Sequence, residues 1–107
     1  MKATIVTVLL VLSFSVCAGG VPNNIVKQIK ADAKVEWPKD YNMQLYEINN
    51  QKTAYISLDK LKRKGAKGVP FNIVKEITKK AKAEWPRDYT MQLYETENQI
   101  KAYKEIN

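Results

Sequence analysis

The stretch Glu36-Trp37-Pro38-Lys39-Asp40-Tyr41-Asn42-Met43-Gln44-Leu45-Tyr46 returns 48 positions later as Glu84-Trp85-Pro86-Arg87-Asp88-Tyr89-Thr90-Met91-Gln92-Leu93-Tyr94. Proline pushes the residue before it out of the α region and clashes inside a continuing helix, so a helix arriving at either tryptophan has to stop there. Two residues on, Asp40 and Asp88 can accept the free N–H groups of a new helix and complement its dipole. The string therefore predicts a helical hairpin with its turn at Trp37-Pro38-Lys39-Asp40, repeated at Trp85-Pro86-Arg87-Asp88.

The repetition extends outward on both sides. Residues 21–59 align with 69–107, and 23 of the 39 pairs are identical. A repeat of this length sets the architecture before any single residue is considered. Upstream of each turn, Ile25, Val26, Ile29 and Ala33, and again Ile73, Val74, Ile77 and Ala81, recur every three or four residues as the stripe of an amphipathic helix. Pro22 and Pro70 stand where a first turn tolerates a missing N–H. Downstream, projection at about 100° per residue gathers Met43, Gln44, Glu47, Gln51, Ala54, Tyr55 and Leu58 on one broad face, with Leu45 opposite. Buried amides are tolerated only when hydrogen-bonded. Gln44, Gln51, Gln92 and Gln99 are thus expected to hold loop backbone or tyrosine hydroxyls near the Trp-Pro turns.

A hairpin this short buries too little surface to be stable alone, and packing two together solves that. The expected fold is all-α: two tandem helical hairpins packed as a small four-helix arrangement. The first repeat is expected over 19–59, a basic linker over 60–68 and the second repeat over 69–107. The helix entering the linker is expected to run through Leu61 and stop at Gly65, a natural left-handed terminus.

The N-terminus reads as a secretory signal over residues 1–18: one lysine, an uncharged apolar run over 3–12, then small residues ending in Ala18-Gly19-Gly20. Cleavage is expected after Ala18, with Gly20 as the alternative, and it removes the lone Cys17. Two other fates are weighed. Lipidation of Cys17 wants Gly, Ala or Ser before the cysteine, where Val16 stands. A retained membrane anchor wants a basic stop, and Gly-Gly follows instead. The expected location is outside the cytoplasm: periplasmic, envelope-associated or secreted.

The string W-P-x-D-Y-x-M-Q-x-Y-x-x-x-x-Q-x-x-A-Y, found within residues 36–55 and 84–103 with every fixed position filled, resembles a short helical repeat of uncharacterised exported or envelope-associated bacterial proteins. The resemblance implies a helical hairpin module in an extracytoplasmic setting. It implies no activity, and no residue takes a catalytic or binding role from it.

Composition narrows the chemistry. The 107 residues hold no histidine and one cysteine, which removes Ser-His and Cys-His dyads and any imidazole base. Neither a calcium-loop pattern nor a phosphate loop, nucleophile elbow or dinucleotide fingerprint occurs. The pairs Glu36/Asp40 and Glu84/Asp88 have the residue types of a two-carboxylate glycosidase, but each brackets a helix break where capping wants acid. No catalytic, cofactor or metal site is expected.

Two candidate contact sets remain. The net charge is +7, and Lys60, Lys62, Arg63, Lys64 and Lys67 concentrate in the linker as a candidate site for acidic polymers or anionic headgroups. Export and the absence of a recognition motif argue against nucleic acid. Tyr46 and Tyr94 lie toward the edge of the buried face, where a ring can serve a ligand. Trp37, Pro38, Asp40, Gln44 and Gln51, with Trp85, Pro86, Asp88, Gln92 and Gln99, read as structural core and caps of the repeat. The expected function is a non-enzymatic binding module for a partner protein or an anionic envelope polymer. A hydrolase-like carboxylate site or an enzyme inhibitor is the alternative, and a structural spacer the third. Membrane association is expected only with a retained signal or a lipidated Cys17.

Overall fold

The computed structural model describes residues 20–107, so the leader expected over 1–18 and Cys17 within it lie outside the described residues. Among the described residues there are four helices and no strands: α1 Asn23–Glu36, α2 Tyr41–Lys64, α3 Phe71–Glu84 and α4 Tyr89–Ile106. The two hairpins expected from the repeat are α1/α2 and α3/α4.

Both turns are built alike. The Trp37 N–H closes α1 on the Ala33 carbonyl at 2.9 Å, and the Asp40 N–H donates to the Trp37 carbonyl at 3.2 Å. The Gln44 side-chain amide donates to the same carbonyl at 2.8 Å, and Gln92 does so to Trp85 at 2.6 Å. Asp40 and Asp88 then cap α2 and α4 by accepting the N–H of Met43 and of Met91, each at 3.1 Å. The tryptophans frame the turn from its rim. Trp37 is half-buried, and Trp85 is more exposed.

The two second helices carry the packing between hairpins. α2 packs against each of the other three helices, whereas the backbone of α1 packs on α2 alone. The Gln51 carboxamide, in the middle of α2, reaches the start of α4: its oxygen accepts the Tyr89 N–H at 2.7 Å and its nitrogen donates to Asp88 at 2.9 Å. Further along, Leu61 joins Ile100 and Tyr103 in one apolar cluster. The two helices therefore run parallel. In repeat numbering Gln51 meets the counterpart of Tyr41, a stagger of ten residues, or about 15 Å at 1.5 Å per residue. The slide makes a flat, elongated body of 59 × 32 × 18 Å.

Two apolar clusters result. Ile29, Ala54 and Leu58 enclose Tyr89, whose ring meets Tyr55 edge-on at 5.2 Å, a geometry favoured by the ring quadrupoles. Val69, Val74 and Ile100 form the second. α2 outlasts the expected first repeat: residues 60–64 are its last turns, and the connection is residues 65–70. Gly65 ends it at φ 75° and ψ −166° with its N–H on the Leu61 carbonyl. That backbone region is nearly reserved for glycine, and a Cβ there would come within 3.2 Å of the Phe71 ring.

Lys39 is held at φ +66°, which costs an L-residue roughly 1–2 kcal/mol. Lys39→Gly should raise stability by about 0.5 kcal/mol, after subtracting glycine's greater freedom in the unfolded chain; a fall in the thermal midpoint would contradict the strain. Gln51→Ala leaves the buried Tyr89 N–H without a partner and should cost about 1–3 kcal/mol in a urea melt. Gln99→Ala, the same substitution at an exposed position, should cost no more than about 0.5 kcal/mol. Equal losses would mean that Gln51 does not bridge the hairpins.

Candidate functional site

The basic residues of the expected linker do not form one patch. Lys60 and Lys64 face the groove shared with Lys101 and Lys104 of α4, whereas Lys62 faces α3. Arg63 is held by Asp59 one turn earlier, Nε to Oδ2 at 2.9 Å, and Lys67 lies exposed in the connection.

The α2/α4 groove thus gathers four lysines with one acid, Glu97, and an equal convergence of positive charge lies between α2 and α3. Lys62, Lys75, Lys79 and Lys82 line a shallow groove of about 650 Å³ with Asn72, Thr78 and one acid, Glu76. The Lys62 side chain reaches solvent, yet partial desolvation there holds its ammonium below the usual lysine range. The charge of Lys82 pushes it the same way, and Asp59 pulls against them. Lys75, Lys79 and Lys82 were not singled out from the sequence. The signal was present in their spacing of four and three, which places them on one face of α3, but attention to charge density along the chain favours residues 60–67 instead.

The carboxylate pairs separate into different roles. Asp40 and Asp88 are the helix caps described above, and Asp88 also accepts the Gln51 amide from the other hairpin. Glu36 and Glu84 are exposed at the ends of α1 and α3. Among the described residues no three Asp, Glu or Cys side chains gather as a metal would require.

The aromatic sets also divide. Tyr46 and Tyr94, expected at the edge of the buried face, are 62% and 61% exposed. The larger contrast lies in a pair the sequence does not separate. Tyr41 is 74% exposed, whereas its counterpart Tyr89 is 7% exposed in the junction between hairpins. That junction also holds Arg87 on Asp32, in a two-pronged ion pair at 2.7 and 3.0 Å. Of the four glutamines, Gln44 and Gln92 hold loop backbone as expected and Gln51 holds the turn of the other hairpin. Gln99 departs from expectation: it donates to Glu95 of its own helix at 3.2 Å, on the exposed surface, because no turn is docked beside it.

Removal of a cap costs about 1 kcal/mol. Asp40→Ala should cost about that much in a chemical melt, and Asp88→Ala roughly twice as much, because only Asp88 serves two donors from different elements. Equal losses would assign both aspartates to capping alone. Comparison with protein-family models, with curated proteins and with solved structures finds no match to this chain.

Proposed function

We propose that the chain is an exported, non-enzymatic binding module whose ligand is an anionic polymer, held along the groove between the end of α2 and the lysine face of α3. The observation that carries this reading is the convergence of Lys62 with Lys75, Lys79 and Lys82 on one groove. The α3 lysines follow one another at spacings of four and three residues, an axial rise of about 6 and 4.5 Å. A polymer bearing a negative group every sugar or phosphate unit presents charge at a comparable interval. Burial and the charge of Lys82 hold the Lys62 ammonium below the usual lysine range, and a nearby negative charge acts in the opposite sense by favouring the charged form.

Such binding is salt-dependent because each neutralised ligand charge releases a counterion. On an immobilised sulfated polysaccharide, the triple variant Lys62→Ala, Lys79→Ala, Lys82→Ala should bind at least about tenfold more weakly at 0.1 M salt. The slope of log K against log salt should fall by about 2. The control variant Lys60→Ala, Arg63→Ala, Lys67→Ala removes the same net charge from other surfaces and should keep most of the affinity. Equal loss in the two variants would assign retention to net charge and remove the groove from the account.

A further inference from the structure

The contact between the two hairpins is made by one unit's groove and the next unit's turn. On the groove side stand Ile29, Asp32, Ala33, Glu47 and Gln51; on the turn side stand residues 84–88, followed by the buried Tyr89. The two sides differ, so the contact is heterologous, and nothing in its geometry closes it after two units.

Both halves are present again, unused among the described residues, at opposite ends of the molecule. The counterparts of the groove residues, Ile77, Lys80, Ala81, Glu95 and Gln99, line a groove of their own of about 280 Å³. Gln99 already donates to Glu95 at 3.2 Å, as Gln51 does to Glu47 at 2.9 Å, so the amide is set in the same way. The apolar residues beneath the tyrosine ring recur only in part, since Ile48, which packs on that cluster, corresponds to Thr96. Ala54 and Leu58 are 4% and 2% exposed beneath Tyr89, while their counterparts Ala102 and Ile106 lie open, Ile106 at 81%. At the other end, Trp37-Pro38-Lys39-Asp40 carries Tyr41 in the position of Tyr89, and Tyr41 stands in solvent.

We propose that a second copy of this chain occupies the open groove: the Tyr41 turn of one molecule docks between α3 and α4 of the next, repeating the contact made inside each chain. This contact copies the internal interface and does not depend on the polymer site proposed above. Several differences set its strength, among them Gln28, the partner of the Tyr89 hydroxyl, which becomes Glu76. The Arg87–Asp32 ion pair becomes Lys39 facing Lys80, a mild repulsion at an exposed site. The cluster of Leu61 and Ala66 with Val69 and Ile100 belongs to the covalent connection and is not reproduced between molecules. The internal contact also has the advantage of a short tether, equivalent to a millimolar effective concentration. Association between copies is therefore the weaker of the two and grows with protein concentration, head to tail, beyond a dimer.

Sedimentation of the purified protein over a wide concentration range tests this. The expected result is a concentration-dependent series that exceeds two copies. Tyr41→Ala removes the docking ring and Ala102→Glu places a charge where the ring would pack; both positions are exposed, and circular dichroism should confirm an unchanged helical content. Each variant alone should remain monomeric, and an equal mixture of the two should recover a dimer and stop there, since each supplies the half the other lacks. Lys80→Asp restores the ion pair and should tighten association by about threefold or more. A monomer at every concentration overturns the proposal. So does association that persists in both variants, which would place the contact elsewhere, including at residues outside those described.

Discussion

One carboxamide joins the two halves of this protein. The Gln51 oxygen receives the first N–H of α4, and its nitrogen bridges Glu47 on its own helix to Asp88 on the other hairpin. A helix start presents N–H groups with no internal partner, and one such group here is buried, where leaving it unpaired is costly. The amide supplies the acceptor from a neighbouring unit. Tyr89 then enters the apolar cluster of the first hairpin, and the stagger of the helices follows from where these two contacts fall.

The hairpins were legible in the sequence because their causes are local. Trp-Pro ends a helix, Asp two residues later begins another, and a glutamine four residues beyond that reaches back to the tryptophan carbonyl in both copies. The three- and four-residue spacing of Ile29 and Ala33 likewise named the buried stripe. The junction was not legible, for a physical reason. Sequence assigns Gln51 and Gln99, or Tyr41 and Tyr89, the same surroundings, and only the direction in which one unit slides over the other decides which member is buried. A repeat gives the parts of an interface twice over but not the position of its one use.

The charged surface shows the same division. Residues 60–67 are dense in lysine and arginine, which drew the candidate site to the connection, yet the helix continues through residue 64 and turns consecutive side chains to different sides. Lys62 thereby joins lysines of α3 that lie 13 to 20 positions away in the chain. Nearness along the chain and convergence in space are different properties once a helix intervenes. The Glu36/Asp40 and Glu84/Asp88 pairs divide in a comparable way, because the aspartate of each pair answers to the helix it caps while its glutamate ends another.

A body only 18 Å thick along its shortest axis has little interior, and the buried groups include Gln51, Thr78, Gln92 and Thr96 beside a modest set of apolar side chains. Exposure of apolar surface raises the heat capacity of unfolding and exposure of polar surface lowers it. A core of this mixture gives a small heat-capacity change and therefore a shallow stability curve. The protein's stability thus changes little on cooling or warming around the maximum.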